Sequence, residues 1–392
     1  MYISKRTRQP ADQVHYESLF DEHYLPLPFS MATTEMCPII RWQANVMQDG
    51  IVLAVSFHHS VFDAAGIHTI QHALAKLCRE PSTSMESLSL RSDLLIGRKR
   101  MHHCAIGEKC GRSKNAKQKS NLKTANFNSA ECLVSRRFCL DAHKIHKLRT
   151  ACTELMHVPS TSSNSEVGLP VTSNDVISAF FWMVITKCRY GSTIHTEGLE
   201  DDLPVESSLV LMTEVRRILS PPLPTSYVGN ASVQTITTSP TQTFLHSTHR
   251  ESSDQPLRST VNGEVDISLL TRLAIKVYAS RTSVDNAHVK EVIEQKLGDS
   301  NWSPNFKQGD IVSTSLRRMD VYNLDFGPLL GRVFEFENPE NRIDGTMCIL
   351  PARLDSKYAP WEIRMTLEPG VMAQLEEDRS FRWAAGYYDA KL

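Results

Sequence analysis

His58-His59-Ser60-Val61-Phe62-Asp63 brings two imidazoles and a carboxylate into one short stretch. A histidine titrates near neutral pH, so it can take a proton from a hydroxyl and return it later in a reaction cycle. An aspartate four residues beyond His59 can fix the tautomer or buttress the loop through an ion pair. All three are also metal-ligand types, but their spacing differs from that of a zincin helix and no metal is expected on them. One histidine of such a pair serves as often as a satisfied core residue, so the pattern alone leaves the choice open.

The elements that must position these groups are readable on either side. Ile51-Val52-Leu53-Ala54-Val55, entered through Gly50 and closed by Ser56, is an apolar run that predicts a strand buried on both faces. After Asp63 the period changes: Ile67, Ile70, Leu74 and Leu77 recur at helical steps, as on a helix with one face in a core. The histidines therefore sit where a central strand gives way to a helix. In layered α/β proteins, ligands bind beyond the carboxyl ends of strands.

This stretch resembles the HHxxxD core of CoA-dependent acyltransferases of the BAHD type, above all their fungal branch, which includes the trichothecene 3-O-acetyltransferases. A related HHxxxDG motif marks condensation domains of peptide synthetases, and the motif alone does not choose between them. The resemblance implies that His59 is the catalytic base and that Asp63 completes the catalytic motif. Ala64 stands where the family usually has glycine, which is delayed to Gly66.

Three further blocks follow in family order. Ser173-Asn174-Asp175-Val176 resembles the family's (S/T)-N-D-V helix opening and carries no chemistry. Glu214-Val215-Arg216-Arg217-Ile218 through Pro221-Pro222-Leu223-Pro224 to Gly229-Asn230 resembles its "VDxRxRL-x-PPLP…GN" block, with Ile218 in place of the second arginine. That likeness implies that Arg216 is the ion-pair partner of Asp63. The physics agrees, since a carboxylate in a half-buried loop costs several kcal/mol unless paired, and arginine offers a bidentate fork. A solvated Arg216 or Arg217 is the plainer reading. Tyr322-Asn323-Leu324-Asp325-Phe326-Gly327 through Gly331 resembles the fungal DFGxxxG form, implying that Asp325 and Gly327 hold a loop in place. A kinase magnesium site fails here, for no glycine-rich loop, V-A-I-K lysine or H-R-D loop accompanies it. Asp310-Ile311-Val312-Ser313-Thr314-Ser315 predicts a strand, and the hydroxyls of Ser313, Thr314 and Ser315 suit a pocket wall that donates to a developing oxyanion. Buried hydroxyls satisfied within the fold are commoner.

Bulk properties bound the rest. The chain has 392 residues and a formal net charge of −1, which argues against nucleic acid or an anionic membrane as main partner. No apolar segment approaches the roughly 20 residues that span a bilayer, and the start lacks a secretory signal. Nine cysteines without framework spacing suggest reduced thiols and a cytoplasmic location. Arg98 to Lys123 is rich in Lys and Arg among Ser, Asn and Gly and reads as a solvated linker. His102, His103, Cys104 and Cys110 within it lack a second pair, so no metal is expected there.

The expectation is an α/β protein of two chloramphenicol-acetyltransferase-like sandwich domains around a central cleft. Residues 1–97 form a first domain, 98–128 a basic crossover linker and 129–392 a second domain. The motif arrives early, at His58, so the first domain is expected to be shortened. The implied reaction moves an acyl group, most simply acetyl, from acyl-CoA to a hydroxyl of a small-molecule secondary metabolite. The protein would act as a monomer with no bound cofactor. A condensation-type enzyme using a carrier-protein thioester, an inactive remnant and an adaptor binding through the basic loop remain as alternatives.

Overall fold

The computed structural model describes residues 2–4, 38–48, 50–82, 90–106, 133–156, 171–191, 206–245, 260–261, 264–297, 311–338, 343–353 and 358–386. The first part of the chain contributes β1 (Tyr2–Ser4), β2 (Ile40–Val46), β3 (Ile51–Phe57), α1 (Ala64–Arg79) and α2 (Leu90–Ile106). Next come β4 (Val134–Leu140), α3 (Ala142–Met156), α4 (Ser173–Tyr190), β5 (Glu206–Glu214), β6 (Ser232–Pro240) and α5 (Gln242–Leu245). The chain continues through β7 (Thr260–Val261), β8 (Val265–Asp266), α6 (Ile267–Thr282), α7 (Asn286–Leu297) and β9 (Ile311–Ser315). It closes with β10 (Arg332–Glu335), β11 (Thr346–Ile349), β12 (Trp361–Leu367), α8 (Pro369–Glu377) and α9 (Arg379–Ala384).

Two sheets organise these elements. One has the order β10-β1-β3-β2, the other β4-β12-β11-β9-β5-β6. In the larger sheet β9 runs parallel to both β5 and β11, and the other pairings are antiparallel. The main core lies between this sheet and α3, α4 and α6. Helix α4 is buried almost along its whole length, with Phe180, Phe181, Trp182 and Ile185 fully enclosed. Each such side chain contributes about 1.5–3 kcal/mol relative to exposure. It opens at Ser173, as its sequence suggests, behind a capping box: Thr172 accepts from the Asp175 backbone while Asp175 accepts from the Thr172 backbone. The buried Asp175 carboxylate is then neutralised by Arg281 of α6, at 2.8 and 3.0 Å.

Three expectations change. The β3 run is only partly buried: Ala54 is its one buried residue, and Leu53, Val55 and Phe57 pack half-exposed with α1 and its neighbours. The linker expected over 98–128 is helical up to Ile106, because Leu94 and Met101, two turns apart on α2, pack against the cluster of Val215, Tyr227, Val284 and Val289. Residues 107–128 of that segment lie outside the described residues, as do Cys110 and Asp310. The division between 1–97 and 129–392 is not clean either, since β10 joins the sheet of the first part by pairing with β1.

A charge network explains why β10 stays there. Arg353 grips Glu335 at 2.6 and 2.7 Å, while Arg137 reaches Glu335, Glu337 and Glu362 at 3.0, 3.1 and 2.9 Å. Arg364 completes it at 2.9 Å from Glu337. Burial pushes the Glu335 carboxyl up, but Arg137 and Arg353 outweigh burial and hold it below the usual carboxylate range. Among the described residues, three arginines here balance three glutamates where the two sheets meet. Among the described residues, no helix is long and apolar enough to cross a membrane.

Candidate active site

Strand β3 ends at Phe57 and α1 starts at Ala64, so the HHxxxD residues form the turn between them. Asp63 is the N-cap of α1, its Oδ1 accepting from Gly66 N at 2.8 Å. The same carboxylate receives a bidentate fork from Arg216, Nη1 to Oδ2 and Nη2 to Oδ1, each at 2.8 Å, and Ala231 N donates to Oδ2 at 2.8 Å. Arg216 also donates to the carbonyls of Tyr227 and Gly229 at 3.0 and 2.7 Å. Both side chains are 7 % exposed, which excludes the surface-charge reading of Arg216. Burial lowers the Arg216 pKa, but the bond and charge of Asp63 outweigh burial and raise it.

This clamp fixes the histidine turn from outside. Asn230 Nδ2 donates to the His59 carbonyl at 2.7 Å, and Asn230 N to the Val61 carbonyl at 2.8 Å. The Gly-Asn pair thus acts through Asn230, a residue that spacing did not single out for any task. Gly66 explains the displaced glycine of the motif. A Cβ there would lie 2.0 Å from Val228 O, so α1 packs directly on the backbone of the arginine block. Ala64 is under no such constraint, being partly buried against the cluster of Val321 and Phe326.

His59 itself is exposed, as are His58 and Ser60, and its ring centroid lies 6.0 Å from that of Phe57. The described residues thus do not enclose the ring. The neighbouring His58 is engaged through Nδ1 with Ser60 Oγ at 2.6 Å. Asp63 does not reach either ring among the described hydrogen bonds; it holds the turn, not the tautomer.

The other expected residues separate into two groups. Asp325 accepts from Gly327 N at 2.9 Å and bridges to Arg332, closing the loop whose Gly327 and Gly331 have φ of 88° and 85°. Gly327 abuts α1, where a Cβ would meet the Arg79 Cα at 3.0 Å, so this loop supports the far end of the helix that Asp63 begins. The oxyanion expectation fares differently. Ser313 is 3 % exposed and its hydroxyl bonds Ser178 of α4 at 3.0 Å, on the helix-covered face. Ser315 falls on the same side by strand alternation, and Thr314 on the opposite one. Ser313 is therefore corrected to a core residue. Ser313→Ala should cost about 1–3 kcal/mol in stability by stranding the Ser178 hydroxyl. Its turnover should match the parent's, whereas loss of an oxyanion donor would lower kcat about 10²–10³-fold. A cavity of about 430 Å³ lies between β6 and the α6–α7 corner, and none of its lining is a candidate site residue.

The two-histidine turn, clamped by a buried arginine–aspartate pair, thus sits in a mixed α/β protein with the sheet-and-helix architecture of BAHD acyltransferases. The model of the Transferase family matches residues 20–382, and the chain belongs to that family. Its relatives include the O-acetyltransferase ptmV of Penicillium ochrochloron, 27 % identical over 91 % of this chain and 74 % of that protein. The fumigaclavine B O-acetyltransferase easN of Aspergillus fumigatus is 28 % identical, over 94 % of this chain and 76 % of its own length. Among solved structures, TRI101 of F. sporotrichioides complexed with coenzyme A and T-2 superposes with a TM-score of 0.65 at 17 % identity. The match covers 94 % of this chain and 75 % of that one. Vinorine synthase gives 0.54 at 15 % identity, covering 92 % and 70 %. At those identities the structures speak for the fold.

Proposed function

We propose that the chain is an O-acyltransferase that moves an acyl group, most simply acetyl, from acyl-CoA to a hydroxyl of a small-molecule secondary metabolite. His59 takes the hydroxyl proton, and the resulting alkoxide attacks the thioester carbonyl. The tetrahedral adduct collapses, the C–S bond breaks, and His59 returns its proton to the CoA thiolate. The observation that carries this reading is a solvent-open His59 whose backbone is tied by Asn230 beside the Asp63–Arg216 pair. The relatives' activity as O-acetyltransferases supports the substrate class.

Asp63 and Arg216 hold the turn, Asp325 and Gly327 hold α1, and Thr314 and the exposed Ser315 are the remaining hydroxyls of their strand that could face the reaction. Residues 1–97 and 129–392 supply the two halves, with β10 reaching back into the first. Free thiols at Cys78, Cys139, Cys152, Cys188 and Cys348 support a cytoplasmic setting. The enzyme would work as a monomer on two small molecules, with no metal in the reaction and no nucleic acid or membrane as partner.

Since no serine or cysteine nucleophile is required, both substrates must be bound together. Thiol release from acetyl-CoA should depend on an added alcohol, drawn from a panel of hydroxylated metabolites. Initial rates should give intersecting double-reciprocal lines. Parallel lines, or a burst of CoA without acceptor, would mean a covalent acyl-enzyme and exclude the direct mechanism. Dependence on a carrier-protein thioester would move the chain to the condensation type.

A further inference from the structure

His68 and His72 stand one turn apart on α1 and present their rings on the same face, with centroids 4.5 Å apart. Asp320, from the loop after β9, meets both: its Oδ1 lies 2.6 Å from His68 Nε2 and 3.0 Å from His72 Nε2. The three donor atoms all fall within 4.8 Å of one another. Asp320 precedes a short 3₁₀ turn, Val321–Asn323, without capping it by its side chain, so the carboxylate serves no helix. We propose that His68, His72 and Asp320 form a zinc(II) site that clips α1 to the loop after β9.

Two imidazoles and a carboxylate are a borderline donor set suited to zinc. With Zn–N and Zn–O bonds of about 2.0–2.2 Å, tetrahedral ligand atoms lie about 3.3 Å apart. Against the observed nitrogen–oxygen separations of 2.6 and 3.0 Å, this asks for an opening of about 0.7 and 0.3 Å, a rotamer adjustment for two half-exposed side chains. His72 and Asp320 are 47 % and 49 % exposed, which leaves the outer coordination position to water. A groove of about 290 Å³ lined by Thr69, His72, Lys76, Asn323 and Asp325 gives access from that side.

The inner side of the cluster supplies a second, independent observation. His68 Nδ1 is buried without a hydrogen-bond partner, and so is Oε1 of Gln71, a residue 2 % exposed that interacts with the His68 ring. When His68 gives its Nε2 lone pair to a metal, the ring proton resides on Nδ1 and can be donated to Gln71 Oε1. A metal on Nε2 thus selects the tautomer that can turn to Gln71 Oε1 as the outer hydrogen-bond acceptor that metal-bound imidazoles characteristically have. Zinc here would fasten the middle of α1, which begins at Asp63, to the segment that supports its far end at Gly327. This site is separate from the His59 chemistry, and its test does not depend on turnover.

Zinc chloride titrated calorimetrically into the chelator-treated protein should bind one equivalent per chain and raise the melting temperature. His72→Ala and Asp320→Asn should abolish both effects, and Gln71→Met should weaken binding roughly 10–100-fold. His102→Ala, at an exposed position of α2, should change neither. Circular dichroism checks that each variant folds. If one does not, cobalt(II) added to the parent protein decides, since tetrahedral coordination gives strong visible bands. Absence of stoichiometric zinc binding, zinc binding that survives both His72→Ala and Asp320→Asn, or a cobalt spectrum identical to the aqueous ion overturns the assignment.

Discussion

His59→Ala should lower kcat by roughly 10²–10⁴ while leaving the denaturation midpoint close to that of the parent. The two parts of that expectation come from different atoms of one residue. The exposed ring holds no described hydrogen bond, so its removal takes away the proposed base without opening a buried cavity. The tie that shapes the turn runs from Asn230 Nδ2 to the His59 carbonyl, and alanine keeps that carbonyl. His58→Ala is the companion measurement. Its Nδ1 is already engaged with Ser60 Oγ, so activity should survive its loss far better. Steady-state thiol release for the two variants discriminates them, and unchanged turnover in His59→Ala would remove that residue from the mechanism.

Arg216→Ala should cost about 3–5 kcal/mol, the loss incurred when one partner of a buried ion pair is removed and the other is stranded. The count of orphaned groups argues for the upper end. Asp63 would keep the Gly66 and Ala231 amides but lose both guanidinium bonds, and the carbonyls of Tyr227 and Gly229 would lose their donor. Arg216→Lys should restore little, because an ammonium cannot reach both carboxylate oxygens and two carbonyls at once. Asp63→Asn should lose folded protein and activity together. Urea unfolding reads the result as a fall in midpoint at constant slope. A parent-like midpoint in Arg216→Ala would show that the clamp is not what holds the histidine turn.

Much of this site could be read without coordinates, and the reason is local. A strand followed by a helix announces itself by a change of period, and a buried carboxylate demands a partner whose type is nearly forced. The choice of Arg216 as that partner, across the chain, came from the resemblance of its block to the family's. The hydroxyl strand shows where that logic stops. Ser313, Thr314 and Ser315 are chemically alike, and which of them faces the helix layer depends on how β9 lies between β5 and β11. Helix α2 was obscured for a related reason: its apolar stripe is thin, and its basic residues carry the composition of a linker. Strand β6, which pairs with β5 along its whole length, carries a weak signal, because Val233 and Ile236 are its only large apolar residues among Ser, Thr and Gln.

The sequence by itself determined the element types around the motif and the need of Asp63 for a cationic partner, while motif resemblance pointed to Arg216 and to the family. The first two follow from short-range periodicity and from charges that cannot be buried alone. The tertiary structure alone decided that β10 crosses into the sheet of the first part, that Ser313 turns into the core, and that Asp320 meets two histidines 252 and 248 residues away. Such meetings depend on how layers pack, and packing sums many weak contacts that no single residue type records.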